Sequence, residues 1–171
     1  ICGLISSLKK HMGEELIYLE RYDSLKIPEN PFRVYDKKEL EGMYGSSWET
    51  QLTLETREPV WITNIPREFY DFEDFEKGIW DNYDLLLPKY GEALSGSRRE
   101  GEYSKIARKM ERDNVRKENY ELLLRLAKEG RLKPSAGAGI GIERLVSWLS
   151  GAKHIGEAQP FPKIPGVVND L

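Results

Sequence analysis

Cysteine is almost missing from this sequence. Cys2 is the only one in 171 residues, so no internal disulfide can form, and a reducing cytosol is the expected compartment. Histidine is nearly as scarce. His11 and His154 lie far apart, and His154 has no metal-ligand companions, so it reads as a hydrogen-bonding or structural residue. No apolar run approaches membrane-spanning length, and no signal peptide is visible. An excess of positive charge is also lacking. The net charge of −3 argues against a dominant nucleic-acid surface. There is no repeat, no low-complexity tract and no linker that would divide two domains.

The length suits one domain, and a hydrophobic content of 39% with 11% aromatics suits a folded core. A charged content of 32% is compatible with ion-pair-rich proteins. The first residue is Ile1 and not Met, which is expected of a fragment or a missing start.

Apolar spacing predicts a helix over residues 1–12 with Gly13 as its stop, and a strand over 15–20. Asp36 can cap a helix that carries Leu40, Met43 and Tyr44. Residues 59–65 are rich in β-formers. Tyr83 to Leu87 reads as a strand, and its three consecutive leucines suggest burial on both faces. Helices are predicted over 102–113 and 117–129. Their charge run, Arg108, Lys109, Arg112, Arg116 and Lys117, reads as a solvated face with i,i+4 pairs.

The most informative stretch is Ser135-Ala-Gly-Ala-Gly-Ile-Gly-Ile-Glu-Arg144. Gly137, Gly139 and Gly141 recur at spacing two, which on a strand puts them on one face. Such a face has no side chains, and a flat ligand can lie against its backbone. A helix with Leu145, Trp148 and Leu149 on one side follows. Glu143 suits its first turn, whereas Arg144 does not. The ordinary alternative is a glycine strand packed on another backbone, with Arg144 in a surface salt bridge. The pattern is neither a dinucleotide fingerprint, since Ile142 stands where the last Gly belongs, nor a phosphate loop.

Upstream, Asp84 precedes a turn-like polar segment from Glu92 to Glu100 that holds Ser95, Gly96 and Arg99. Carboxylates and a hydroxyl are hard oxygen ligands suited to Mg²⁺, and an Arg can grip a carboxylate bidentately. From spacing alone, a polar surface turn is the better account of them.

The glycine stretch resembles motif 3 of class II aminoacyl-tRNA synthetases, Gly-x-Gly-x-Gly-x-Glu-Arg, and residues 151–166 resemble the end of the aspartyl/asparaginyl branch. Glu92, Ser95 and Arg99 match that branch's Glu, Ser three on and Arg seven on. The resemblance runs from about Phe32 to Gly166. It implies that Glu92 and Ser95 hold Mg²⁺ and phosphate and that Arg99 reads the side chain of aspartate or asparagine, with Ser95 and Asp84 beside it. It further implies that Gly137, Gly139, Gly141, Ile142, Glu143 and Arg144 bind ATP, Arg144 contacting the nucleotide. The implied fold is α+β, a partial antiparallel sheet flanked by helices. Residues 1–171 would be one domain, the C-terminal half of a catalytic core without an anticodon-binding domain. Thr63-Asn64-Ile65-Pro66 departs from the branch's Thr-Asp-Tyr-Pro and, with Arg67-Glu-Phe-Tyr-Asp71, is more similar to the archaeal stand-alone asparagine synthetases, which join ammonia to aspartate with ATP.

Motif 1, and the Phe/Tyr-Arg-x-Glu segment of motif 2 that holds the α-phosphate and precedes the adenine-stacking aromatic, have no counterpart here. The resemblance therefore implies little activation by these residues alone, or a non-catalytic binding or regulatory paralogue. A tRNA partner is not expected. The strands Tyr83–Leu87 and Gly137–Gly141 are expected to be neighbours, with apolar surface around Trp61, Leu85 and Leu87 open to water. Self-association, or a partner chain that completes the sheet, is then expected.

Overall fold

In a computed structural model, residues 1–162 are described. The chain runs α1 (Cys2–His11), α2 (Gly13–Tyr18), β1 (Val34–Asp36), α3 (Lys37–Tyr44), α4 (Trp48–Glu55), β2 (Val60–Thr63), β3 (Glu73–Asp74) and β4 (Ile79–Trp80). It continues β5 (Asn82–Leu87), β6 (Gly91–Arg98), α5 (Tyr103–Arg112), α6 (Glu121–Lys128), β7 (Ala136–Ile140) and α7 (Ile142–Ser150). The main sheet has the order β1-β2-β5-β6-β7, parallel between β1 and β2 and antiparallel elsewhere, and β3 pairs β4 apart from it.

Each face of the sheet is covered for its own reason. Leu85 and Leu87 point to one face, and Leu86 to the other, because side chains alternate along a strand. The first face packs with Ile5 of α1, Leu16 of α2 and Leu145, Trp148 and Leu149 of α7. The second packs Val60, Ile62 and Leu86 with Leu40 of α3 and Leu52 of α4. Asp36 caps α3 as expected, its Oδ1 accepting from Lys38 N at 2.8 Å. A third cluster joins Phe69, Ile106, Met110 and Ala127, so α5 and α6 pack beneath the segment that follows β2.

Six expectations are corrected. The strand expected over 15–20 is helix through Tyr18. Helix α1 does end before Gly13, with Met12 as its C-cap, but Gly13 also opens α2, of whose apolar run only Leu16 is buried. The turn-like segment after Glu92 is the inner strand β6, hydrogen-bonded on both sides. It therefore separates β5 from β7, which are not neighbours. Leu85 and Leu87 are buried under α1 and α7 and Trp61 is half-buried, so the apolar surface expected there is covered. The charge run is not simply a solvated face, because Lys109 is fully buried and Arg112 pairs with Glu73 and Asp113. The second of the two helices opens as a 3-10 turn over Lys117–Tyr120 before α6.

Gly96 is a glycine for steric reasons. A Cβ there would lie 2.8 Å from the Tyr83 ring and 2.9 Å from Ala138 Cβ. Gly96→Ala must push β5 and β7 side chains apart, and should lower stability by about 1–3 kcal/mol in urea denaturation. An unchanged midpoint would show that Tyr83 swings away freely.

Candidate active site

The register of β5, β6 and β7 assembles a polar patch on the sheet's second face. Asp84 pairs with Ser95, and Ser95 with Gly139. One step along, Asn82 pairs with Ser97, and Ser97 with Gly137. Residues in register share a face, so two rows run carboxylate–hydroxyl–glycine and amide–hydroxyl–glycine. Glu92 joins the same face although it stands three residues before Ser95. The register shifts between Leu85 and Leu86, so Glu92 opposes Leu86 and Leu94 opposes Leu85, with Ala93 the extra residue of a bulge. On a regular strand, spacing three would have sent Glu92 to the opposite face.

The segment after β2 crosses this patch and is pinned at its start. Asn64 takes a left-handed backbone, φ +60°, which Asn tolerates. Its side chain donates to Asp36 Oδ2 at 2.8 Å and accepts from Trp80 N at 3.0 Å. Asn82 then clamps Ile65 from both sides, accepting from its N at 2.9 Å and donating to its O at 2.6 Å. Two residues further, the Arg67 guanidinium donates to both carboxylate oxygens of Asp84 and to Ser95 Oγ. At the end of the segment, Asp71 Oδ1 accepts from Arg99 Nη1 and from Ser97 Oγ. Arg67, Tyr70, Asp71, Ser95, Ser97 and Arg99 line a cavity of about 230 Å³. A larger cleft of about 690 Å³, lined by Arg21, Glu58, Lys89 and Trp148 among others, lies elsewhere and contains none of these residues.

The glycines play separate parts. Gly137 lies under Arg99, whose Nη2 would be 3.3 Å from an added Cβ, whereas a Cβ on Gly139 would meet nothing within 4 Å. Gly141 is not on the strand. It is the N-cap of α7, its N donating to Ala93 O at 2.8 Å. Ile142 and Glu143 form the first turn of α7, and Arg144 Nη1 donates to the carbonyl of Glu92, tying α7 to the bulge. His154 Nδ1 accepts from Gly156 N at 3.0 Å and caps a short 3-10 turn, a structural role. The expected tail resemblance at 163–166 lies outside the described residues.

Electrostatics mark Asp84 and Glu92. Burial pushes the Asp84 carboxyl up despite the opposing Arg67. Burial also raises Glu92, helped by the nearby negative charge of Asp84 and Glu49 and opposed by Arg67 and Arg144. A cation brought to Glu92 would relieve that crowding, and Ser95 stands on the same face with a second hard oxygen. Among the described residues no group of three or more His, Cys, Asp or Glu could hold a metal. The protein would therefore offer a Mg²⁺ at most these two oxygens, and its other ligands would have to come from phosphate and water.

A raised carboxyl binds more protons folded than unfolded in the window from its ordinary value, 4.5, up to its folded value. Ionised Glu92 therefore costs stability above that window, and the cost vanishes as the pH falls below it. Glu92→Gln should raise the melting temperature by a few degrees at pH 7 without added cation, with the gain shrinking towards pH 4. A gain that persists at low pH would assign it to packing instead.

Two residues of this arrangement, Arg67 and Asp71, carried no signal as site residues in the sequence. They come from an irregular segment whose place is set by Asn64 and Asn82. The sequence-predicted Glu92, Ser95, Asp84 and Arg99 are brought to one face, where Arg99 is paired with Asp71.

The family model for class II tRNA synthetases (D, K and N) matches residues 3–165. The chain belongs to this family. It is 36% identical over 171 aligned positions to an asparagine–tRNA ligase of Streptococcus thermophilus, covering 94% of this chain and 38% of that protein. A Mycoplasma mobile asparagine–tRNA ligase is 30% identical, with 95% of this chain and 38% of that protein covered. Among solved structures, asparaginyl-tRNA synthetase from Pyrococcus horikoshii superposes with a TM-score of 0.83 at 27% identity, covering 99% of this chain and 44% of that one. The same enzyme complexed with asparaginyl-adenylate gives 0.84 at 26% identity, covering 99% and 43%. The chain thus spans under two-fifths of the length of the two asparagine–tRNA ligases and under half of the Pyrococcus chain. Its antiparallel-rich sheet flanked by helices is the fold expected of this family's core. Among the described residues no helix is long and apolar enough to cross a membrane.

Proposed function

We propose that the polar patch is the amino-acid and nucleotide seat of an asparaginyl-type, adenylate-forming ligase core. The observation that carries this reading is the pair of rows Asp84–Ser95–Gly139 and Asn82–Ser97–Gly137 on one face, with Arg67 and Arg99 laid over them. In the reaction so assigned, the α-carboxylate of the amino acid attacks the α-phosphorus of ATP, and pyrophosphate leaves. Arg99 engages the amino-acid side chain. The bare backbone at Gly139 receives the adenine, and Arg144 stands at the start of α7 for the phosphates. Mg²⁺, when bound at Glu92 and Ser95, would neutralise phosphate charge. The adenylate complex of the Pyrococcus neighbour and the asparagine–tRNA ligase relatives support asparagine as the amino acid. These 171 residues lack a counterpart of the motif 2 arginine, so alone they should bind ligands yet turn over little. The expected association keeps one support, since β7 ends the sheet as an edge strand among the described residues.

The test is titration of asparagine, aspartate and leucine into the intact chain and into Arg99→Ala. The parent should prefer the polar ligands to leucine, and the variant should lose about tenfold or more of that affinity, the worth of a charged hydrogen bond. Equal binding of all three ligands by both proteins would overturn the reading.

A further inference from the structure

We infer that Asp71 is the residue by which this pocket selects a carboxamide side chain over a carboxylate. The inference rests on the reading of the Arg99 cavity as the seat of the amino-acid side chain. Arg99 alone cannot make that selection. A guanidinium is a fork of donors with no acceptor, and it suits a carboxylate at least as well as an amide oxygen. Asp71 changes the chemistry of the cavity, because an ionised carboxylate only accepts.

Asp71 is held in place on every side. It is 1% exposed. Its N donates to Glu68 O at 3.0 Å, its O accepts from the buried Lys109 ammonium, and its backbone bridges that of Arg99. Its Oδ1 is engaged by Arg99 and Ser97, while its Oδ2 accepts no hydrogen bond among the described residues. The cavity wall therefore presents a donor and an acceptor side by side. A primary carboxamide, with its oxygen towards Arg99 and its NH₂ towards Asp71, complements both. A carboxylate would set a second negative group against Asp71 with one guanidinium between them. The other arginine of the cavity gives no surplus charge, because Arg67 is committed to Asp84.

The experiment measures binding of asparagine, aspartate and aspartate β-methyl ester to the 171-residue chain by calorimetry at neutral pH. The ester is uncharged and of similar size, but it has no side-chain N–H. The parent should bind asparagine at least about tenfold more tightly than either competitor, as a site built around a hydrogen-bond partner does. Asp71→Asn, which can turn an N–H towards a carboxylate, should bring asparagine and aspartate within about threefold of each other. Equal affinity of asparagine and the ester in the parent overturns the inference without any variant, whether or not Asp71→Asn folds. An unchanged asparagine-to-aspartate ratio in folded Asp71→Asn also overturns it, and leaves the seat at Arg99 standing. If the parent binds neither amino acid, the inference falls together with the reading beneath it.

Discussion

Replacing Lys109 with methionine should cost the protein about 3–5 kcal/mol, the penalty for removing one partner of a buried ion pair. Lys109 is fully buried at the centre of the site's support. Its ammonium donates to the Asp71 carbonyl, lies 3.4 Å from Glu100 Oε2 and sits 5.7 Å from the centroid of the Trp80 ring. Methionine fills much of the volume and makes none of the polar contacts. Glu100, 6% exposed, would keep only the N–H groups of Gly101 and Glu102 on its other oxygen. Its charge would then be buried without a counter-ion. Against a total stability of about 5–15 kcal/mol, the loss is a large share, and it corresponds to roughly 10 °C in melting temperature. Urea denaturation measures it directly, and a loss under about 1 kcal/mol would show that Glu100 finds water or another partner. Adding Glu100→Gln should recover part of the loss, because an uncharged amide is cheaper to bury than an unpaired carboxylate.

The same lysine gives a pH signature. Burial pulls its pKa below the ordinary 10.5, with Glu100 opposing. Between the lowered folded value and 10.5 the unfolded chain binds more protons than the folded one, so stability rises with pH across that window. The parent should show this alkaline rise, and Lys109→Met should lack it. Equal slopes in the two proteins would place the titration elsewhere.

What the sequence made legible, and what it hid, follows from where each signal is written. Apolar periodicity reports burial, and it located α7, whose Leu145, Trp148 and Leu149 are all buried. It also located β5, whose leucines do face two different cores. Capping chemistry is local, and Asp36 declared α3. Strand β6 was hidden because its composition is small and polar. Its Gly-Glu-Ala-Leu-Ser-Gly-Ser-Arg has no β-branched residue, and its alternation of Ser95 and Ser97 with Leu94 and Gly96 imitates a turn. The spacing of Glu92, Ser95 and Arg99 was visible, but their common face depends on a bulge that pairing with β5 creates. Arg67 and Asp71 owe their places to two asparagine side chains 18 residues apart in sequence, Asn64 and Asn82, and no local pattern encodes such a clamp. Lys109 was misplaced because a buried lysine has the same letter as an exposed one, and only its partners distinguish them.

Gly139→Val should weaken Mg-ATP binding at least about tenfold while leaving the fold intact. A Cβ at this position meets nothing within 4 Å, and the residue lies outside the positive-φ region, so valine enters without clash or backbone strain. Valine also favours an extended strand, so stability should stay within about 0.5 kcal/mol of the parent or rise slightly. The cost falls on the ligand. The branched side chain would stand opposite Ser95, on the bare face where the proposal lays the adenine. A planar base cannot slide past two methyl groups without leaving the sheet, and affinity should fall at least about tenfold, or about 1.4 kcal/mol. Asparagine binding is the internal control. Arg99 crosses the sheet at Gly137 and not at Gly139, so the amino-acid titration should be unchanged in Gly139→Val and weakened in Gly137→Val. Calorimetric titration of Mg-ATP and of asparagine into both variants separates the two seats. Mg-ATP binding to Gly139→Val at parental affinity would remove the nucleotide from this face, whatever the amino-acid titration shows.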